Sequence, residues 1–236
     1  MKASPIPRII WQTYRTSEIP PEAAACQSSW RKLNPGWDYR FVDDEGIDRF
    51  VRETVPASVY ALFRDLPLGV MKADFWRYLV TRRFGGVYAD LDTVCLAPLD
   101  EWLPHDAEFI VCPENDVHLC QWTYLAAPGH TCLDAVIALV FERAAEGIDT
   151  DNQHFVHYHT GPGVWTDAIK ATIGFHESDM LALSRNDLPR ARDLGVRILD
   201  RRYFNGLKVR HLFGSRTWGG SYARWIEERE VLRGRG

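Results

Sequence analysis

A chain of 236 residues, 46% hydrophobic and 25% charged, has the size and balance of one large globular domain, read here as a single unit over residues 1–236. A net charge of −4 excludes a general nucleic-acid binder, whose affinity comes from neutralising phosphates. No run reaches the roughly 18 apolar residues of a membrane span, and no apolar leader follows Met1, so the expectation is a cytoplasmic protein. The basic tail with Arg229, Arg233 and Arg235 suggests no more than a weak peripheral membrane contact. Cys26, Cys95, Cys112, Cys120 and Cys132 are scattered without a C-x-x-C pair and read as reduced, mostly buried thiols.

Taken in order, Arg8 to Thr13 reads as a short buried strand, and Pro20-Pro21 opens a helix to about Leu33. Tyr39 to Val42 is a strand, with Asp43-Asp44 ending it and capping a short helix. A helix runs from near Pro56 to Leu66 and another from Gly69 to Phe84, the latter closed by Arg82, Arg83 and Gly85-Gly86. Val87 to Leu96 reads as one strand. Glu108 to Cys112 and Leu119 to Ala126 are further strand candidates, and His130 to Ala145 is helical. Thr160-Gly161-Pro162-Gly163 is a turn into a helix reaching Thr172. Short strands at Val196 to Leu199 and Val209 to Leu212 precede a helix from Tyr222 to Leu232. Strands alternating with helices give an α/β class with parallel character. Trp30 and Trp37 flank a helix end and are expected to pack in the core.

The strongest chemical signal is Gly85-Gly86-Val87-Tyr88-Ala89-Asp90-Leu91-Asp92. On a strand of period two, Asp90 and Asp92 point to one side while Val87, Ala89 and Leu91 enter the apolar layer. Two neighbouring carboxylates repel each other unless a cation joins them. Oxygen ligands suit Mg2+ or Mn2+, and Mg2+ is typically shared with substrate phosphates, so the pattern points to a diphosphate ligand at a strand's carboxyl end. Asp149-Thr150-Asp151 has the same spacing without a preceding strand and reads as surface loop.

The second signal is Asp74 and Arg77, three apart and adjacent on a helix face, with Met71, Phe75 and Leu79 as the core stripe. Alone, the pair reads as a surface ion pair of small energetic worth; its place directly before the Gly-Gly strand makes it a site candidate. His154, His157 and His159 form a dense cluster, and His157 and His159 would share one strand face, but they match no known metal spacing. No phosphate-binding G-x-x-x-x-G-K loop is present in the sequence.

The run from Asp74 to Asp92, DFWRYLVTRRFGGVYADLD, resembles the core of the DXD sugar-binding glycosyltransferases, family 32. IPRIIWQT from Ile6, QWTYLAAPGH from Gln121, TGPGVWTD from Thr160 and HLFGSRTW from His211 are similar to the same family, in particular to its fungal initiating α-1,6-mannosyltransferases. The resemblance implies a GT-A fold, a Rossmann-like nucleotide-binding domain with a mixed central sheet. It implies a retaining transfer of a hexose from GDP-mannose or a UDP-hexose to a glycan or glycolipid acceptor, with Mn2+ or Mg2+ as cofactor. Residue by residue, Asp90, Asp92 and His211 match the metal-holding positions, with Asp90 also on the ribose. Asp74 and Arg77 match positions holding sugar hydroxyls and phosphates. Trp11, with Gln12 and Thr13 beside it, matches an aromatic that stacks on the base. Ser215 and Trp218 match a segment closing over the diphosphate, here with two residues inserted between Ser215 and Trp218. Gln121, or Asp151 if its loop folds inward, is a candidate neighbour of the anomeric carbon. The rival readings are a metal-dependent phosphohydrolase acting on the same donor and a non-catalytic sugar-nucleotide-binding module.

Overall fold

A computed structural model describes residues 4–185, 188–213 and 230. The chain begins with strand β1 (Ile9–Tyr14), helix α1 (Pro21–Leu33) and strand β2 (Asp38–Asp43). Asp43 caps α2 (Asp44–Thr54) by accepting a 2.9 Å bond from the Gly46 amide, the expected use of an aspartate there. Helices α3 (Ala57–Asp65) and α4 (Gly69–Phe84) lead to β3 (Gly86–Ala89). Then come β4 (Thr93–Cys95), β5 (Phe109–Val111), β6 (Thr123–Ala126), α5 (Thr131–Ala145), α6 (Phe155–His159) and α7 (Pro162–Ile173). The described part ends with α8 (Pro189–Asp193), β7 (Val196–Ile198) and β8 (Val209–His211).

Six strands form one sheet in the order β2-β1-β3-β6-β5-β7. β1 is parallel to β2 and β3, β6 runs antiparallel to β3 and β5, and β7 is parallel to β5. The sheet is therefore mixed, as the family resemblance implied. Alternate residues feed two cores. Ile10, Val87, Ala89, Ile110 and Leu125 pack with Trp30 and Trp37 on one side. Trp11, Tyr88, Phe109 and Tyr124 pack on the other with the apolar residues of α4, α5 and α7. Trp30 and Trp37 are core residues, as expected, and all five cysteines are buried free thiols.

Gly86 lets β1 and β3 approach. A Cβ there would lie 2.6 Å from the Ile9 carbonyl oxygen, and its φ of 103° is one that side chains rarely adopt.

Three elements differ from the sequence expectation. The strand expected from Val87 to Leu96 is broken: β3 ends at Ala89, and Thr93–Cys95 crosses into a two-stranded antiparallel ribbon with β8. Asp90 and Asp92 therefore lie in the turn between two sheets, not along one strand face. Its Thr93 Oγ1 donates to the Asp90 carbonyl at 2.6 Å. The strand expected from Leu119 keeps Thr123–Ala126, with Leu119 held by an isolated bridge to Pro113. His157 and His159 lie on helix α6 and share no strand face. Ser215, Trp218, the insertion between them and the Arg229, Arg233 and Arg235 tail lie outside the described residues, as does all but Glu230 of the expected C-terminal helix.

Candidate active site

Three segments meet at the carboxyl end of β3. The turn after β3 brings Asp90 and Asp92, α4 brings Asp74 and Arg77, and β8 brings His211. Asp90, Asp92 and His211 each offer a ligand atom within 4.8 Å of the others, the one such group of three among the described residues. His211 Nε2 is 3.2 Å from Asp92 Oδ1 and 4.0 Å from Asp90 Oδ2. Arg77 lies beneath them, with Nη2 2.9 Å from Asp74 and Nη1 3.3 Å from Asp90. The Tyr88 hydroxyl donates to Asp90 Oδ1 at 2.6 Å, and the Arg77 guanidinium lies over the Tyr88 ring.

The turn is held from below by Gln12, which is fully buried. Its Nε2 donates to the Asp90 carbonyl at 3.1 Å, and its Oε1 accepts from Tyr39 at 2.7 Å. Asp74 is equally enclosed: Thr160 Oγ1 donates to its second oxygen at 3.3 Å.

Carboxylates outnumber cations here. Burial pushes the Asp74 carboxyl up to about 7, against the pull of Arg77, while the charge of Asp90 adds to the rise. Burial also raises Asp90, opposed by Arg77 and reinforced by Asp92. Burial opposes protonation of His211, but the hydrogen bond and charge of Asp92, with Asp90 and Glu114, outweigh it and raise its pKa. Asp90 and Asp92 converge with His211 and face one guanidinium, that of Arg77, so the cluster can take further positive charge. A divalent cation would supply it, so the donor set fits a metal. Among the described residues Arg77 Nε, also buried, has no acceptor.

Residues 20–109 match the family model described as the glycosyltransferase sugar-binding region containing a DXD motif, and Asp90-Leu91-Asp92 is that motif. The chain carries this family's DXD region. The initiation-specific alpha-1,6-mannosyltransferase of Schizosaccharomyces pombe is 32% identical over 190 residues, covering 70% of this chain and 48% of that protein. Its namesake in Candida albicans is 29% identical over 206 residues, covering 71% and 53%. Inositol phosphoceramide mannosyltransferase 2 of Schizosaccharomyces pombe is 37% identical over 98 residues, covering 42% and 28%. This chain spans about half the length of the first two. Among solved structures, PaToxG glycosyltransferase superposes with a TM-score of 0.58 at 19% identity, covering 82% of this chain and 79% of that one. The glycosyltransferase domain of the YGT toxin gives 0.50 at 10% identity, covering 82% and 80%. These likenesses carry the fold, which is the expected GT-A type.

The structure gathers Asp74, Arg77, Asp90, Asp92 and His211 into one cluster. The Asp74–Arg77 pair is buried, with side chains 5% and 7% exposed, not the surface pair its spacing alone would suggest. Gln12 supports the turn by its side chain. Thr13 is spent on the Val42 carbonyl at 2.6 Å. Trp11 sits elsewhere: its Nε1 donates to the Gly85 carbonyl at 2.9 Å, and its ring packs against Phe84, Trp76 and Arg40. At 4% exposure it has no open face for a base, because it stands on the side of β1 packed against α4. Gln121 is committed to the Tyr78 hydroxyl and to the Thr160 carbonyl at 3.0 Å. Asp151 is exposed and its loop does not fold inward; with Asp149 it forms the surface turn the sequence suggested.

His118, not His159, joins His154 and His157, with ring centroids 6.1 and 6.0 Å from His157. Their ligand atoms do not converge as those of Asp90, Asp92 and His211 do.

Sequence reasoning missed Tyr88, Thr160 and Glu114. Tyr88 is two residues before the motif's first aspartate and could have been found. Glu114 is raised by burial, opposed by the charge of His211 and by a hydrogen bond from Trp122. It reaches the site through a hairpin that no local pattern marks.

Proposed function

We propose that the chain is a retaining, divalent-metal-dependent hexosyltransferase taking its sugar from a nucleotide-sugar, with GDP-mannose favoured and UDP-hexoses as the alternative donors, and passing it to a glycan or glycolipid hydroxyl. The observation that carries this reading is the convergence of Asp90, Asp92 and His211 directly above the buried Asp74–Arg77 pair. The mannosyl preference rests on the printed activities of the curated relatives.

Asp90, Asp92 and His211 would hold the metal, and the imidazole in the set favours Mn2+ over the harder Mg2+. When bound, such an ion neutralises the charge that develops on a departing nucleoside diphosphate. The protein's own groups do the rest. Arg77 is fixed by Asp74, Asp90 and the Tyr88 ring, so its positive charge is held in place beside the proposed diphosphate position. Asp74 accepts from Arg77 on one oxygen and Thr160 on the other, which suits positioning and leaves it poorly placed as a nucleophile. Gln12 fixes the turn that aims both aspartates. We therefore favour same-face attack, in which the acceptor hydroxyl's proton passes to the leaving phosphate oxygen.

A donor panel tests the reading: incubation with GDP-mannose, UDP-galactose and UDP-N-acetylglucosamine in Mn2+, with nucleotide release measured with and without acceptor sugars. Acceptor-dependent release from one donor is the expected result. Release that ignores acceptors identifies a phosphohydrolase, and binding without release identifies a non-catalytic module.

A further inference from the structure

The ribbon that delivers His211 has a second face. Register pairs Thr93 with His211, Val94 with Arg210 and Cys95 with Val209, and the Leu96 amide continues the ladder to the Lys208 carbonyl at 2.8 Å. With period two, Thr93, Cys95, Val209 and His211 turn inward to the core and the site. Val94, Leu96, Lys208, Arg210 and Leu212 form the other face. Seven large hydrophobic side chains are exposed among the described residues; Leu96 and Leu212 lie on this face, with Leu207 at 52% in the turn that precedes β8, whereas Phe213 packs its ring against His211.

Charge is concentrated in the same place. From Arg197 to Phe213 the sequence has five basic residues against one acidic, in a chain whose net charge is −4. Arg202 is paired with Asp200, Arg197 with Asp106, and Arg201 lies toward Glu114. Lys208 and Arg210 remain on the outer face beside Leu96 and Leu212. Exposed leucines set among cations on an otherwise acidic protein form the surface chemistry that anionic bilayers attract: apolar tips enter the headgroup boundary while Lys and Arg meet lipid phosphates.

We infer that the outer face of the β4–β8 ribbon is a docking surface for an anionic lipid bilayer. The ribbon would seat the protein with the Asp90–Asp92 turn close to the membrane, because the same two strands present His211 on their opposite face. This inference stands on the ribbon alone and does not depend on the reaction proposed above.

Co-sedimentation with phosphatidylcholine vesicles, with and without phosphatidylserine, tests it. Wild type should pellet with the phosphatidylserine vesicles and be released as salt rises, since the attraction is screened. Lys208→Glu with Arg210→Glu should lower partitioning by more than about tenfold, each lost cation being worth roughly fivefold. Leu207→Ser, at a turn where folding is little disturbed, should lower it several-fold. Circular dichroism and Mn2+ affinity should match wild type in both variants, because neither touches the metal residues. The inference is overturned if wild type ignores phosphatidylserine, if the variants bind as wild type does, or if the ribbon instead pairs two copies. The last outcome would appear in sedimentation equilibrium as a dimer that the same substitutions dissolve.

Discussion

His211 Nε2 lies 3.2 Å from Asp92 Oδ1, joining the ribbon strand β8 to the turn that leaves the main sheet. His211 Nδ1 meanwhile accepts from the Phe213 amide at 3.1 Å, so without a metal its proton belongs on Nε2, toward the aspartate. In the proposed cation site Asp92 is thus the carboxylate nearest the imidazole. Asp92→Asn should lower transfer on the order of a hundredfold or more, with unfolding behaviour close to wild type. Mn2+ titration by electron paramagnetic resonance should show weakened binding in Asp92→Asn and in His211→Ala. Near-normal activity of Asp92→Asn in Mn2+ would remove the site assignment.

Asp74 gives a pH signature in the metal-free protein. Its carboxyl titrates at about 7 when folded, against 3.8 for the unperturbed group. Between those values the folded state keeps a proton that the unfolded chain has released. The folded state binds more protons, so this group makes stability fall as pH rises from about 4 to about 7 and hold level above. Asp74→Asn should flatten that slope relative to wild type in urea titrations with EDTA. A steeper slope in the variant would contradict the assigned direction.

Trp11 should prove structural. Truncating a buried tryptophan to alanine costs about 3–5 kcal/mol, and the Gly85 carbonyl would lose its donor as well. Trp11→Ala should therefore lower the denaturation midpoint sharply, while the folded fraction keeps the dissociation constant for free nucleotide. A tenfold loss of nucleotide affinity in a variant of normal stability would restore the base-stacking role.

The stereochemical outcome tests the chemistry. An α-linked donor should yield an α-linked product, read from the first product by the one-bond carbon–proton coupling for mannose. A β-linked product would require a base on the far face of the sugar and would overturn same-face attack.

Much of the fold was legible because its signals are local. The capping Asp43, the Gly85-Gly86 stop and the apolar stripe of α4 are each set by neighbours in sequence. Asp90 and Asp92 were singled out through their strand, though the strand ends earlier than its apolar run suggests. Nothing near Thr93 signals that its partner is His211. The short helix α6 holds a run of histidines with little helical preference, and its shape comes from packing Phe155 and Val156. The burial of Trp11 was not legible because a motif position gives the residue and not the direction of its side chain. The face of β1 that it occupies is decided by Phe84 and Trp76.

The turn carrying Asp90 and Asp92 belongs to neither sheet, and this shapes how the protein is made. Both aspartates, Arg77 and the main-sheet strands β1, β3 and β6 leave the ribosome well before His211. A nascent chain that has reached Ala126 already holds the acidic half of the site, with no imidazole to close it. Completion waits for a contact between distant parts of the chain, the kind that forms slowly. The carboxylates are thus present early in the growing chain, and the imidazole that completes the proposed metal site arrives last, with the ribbon.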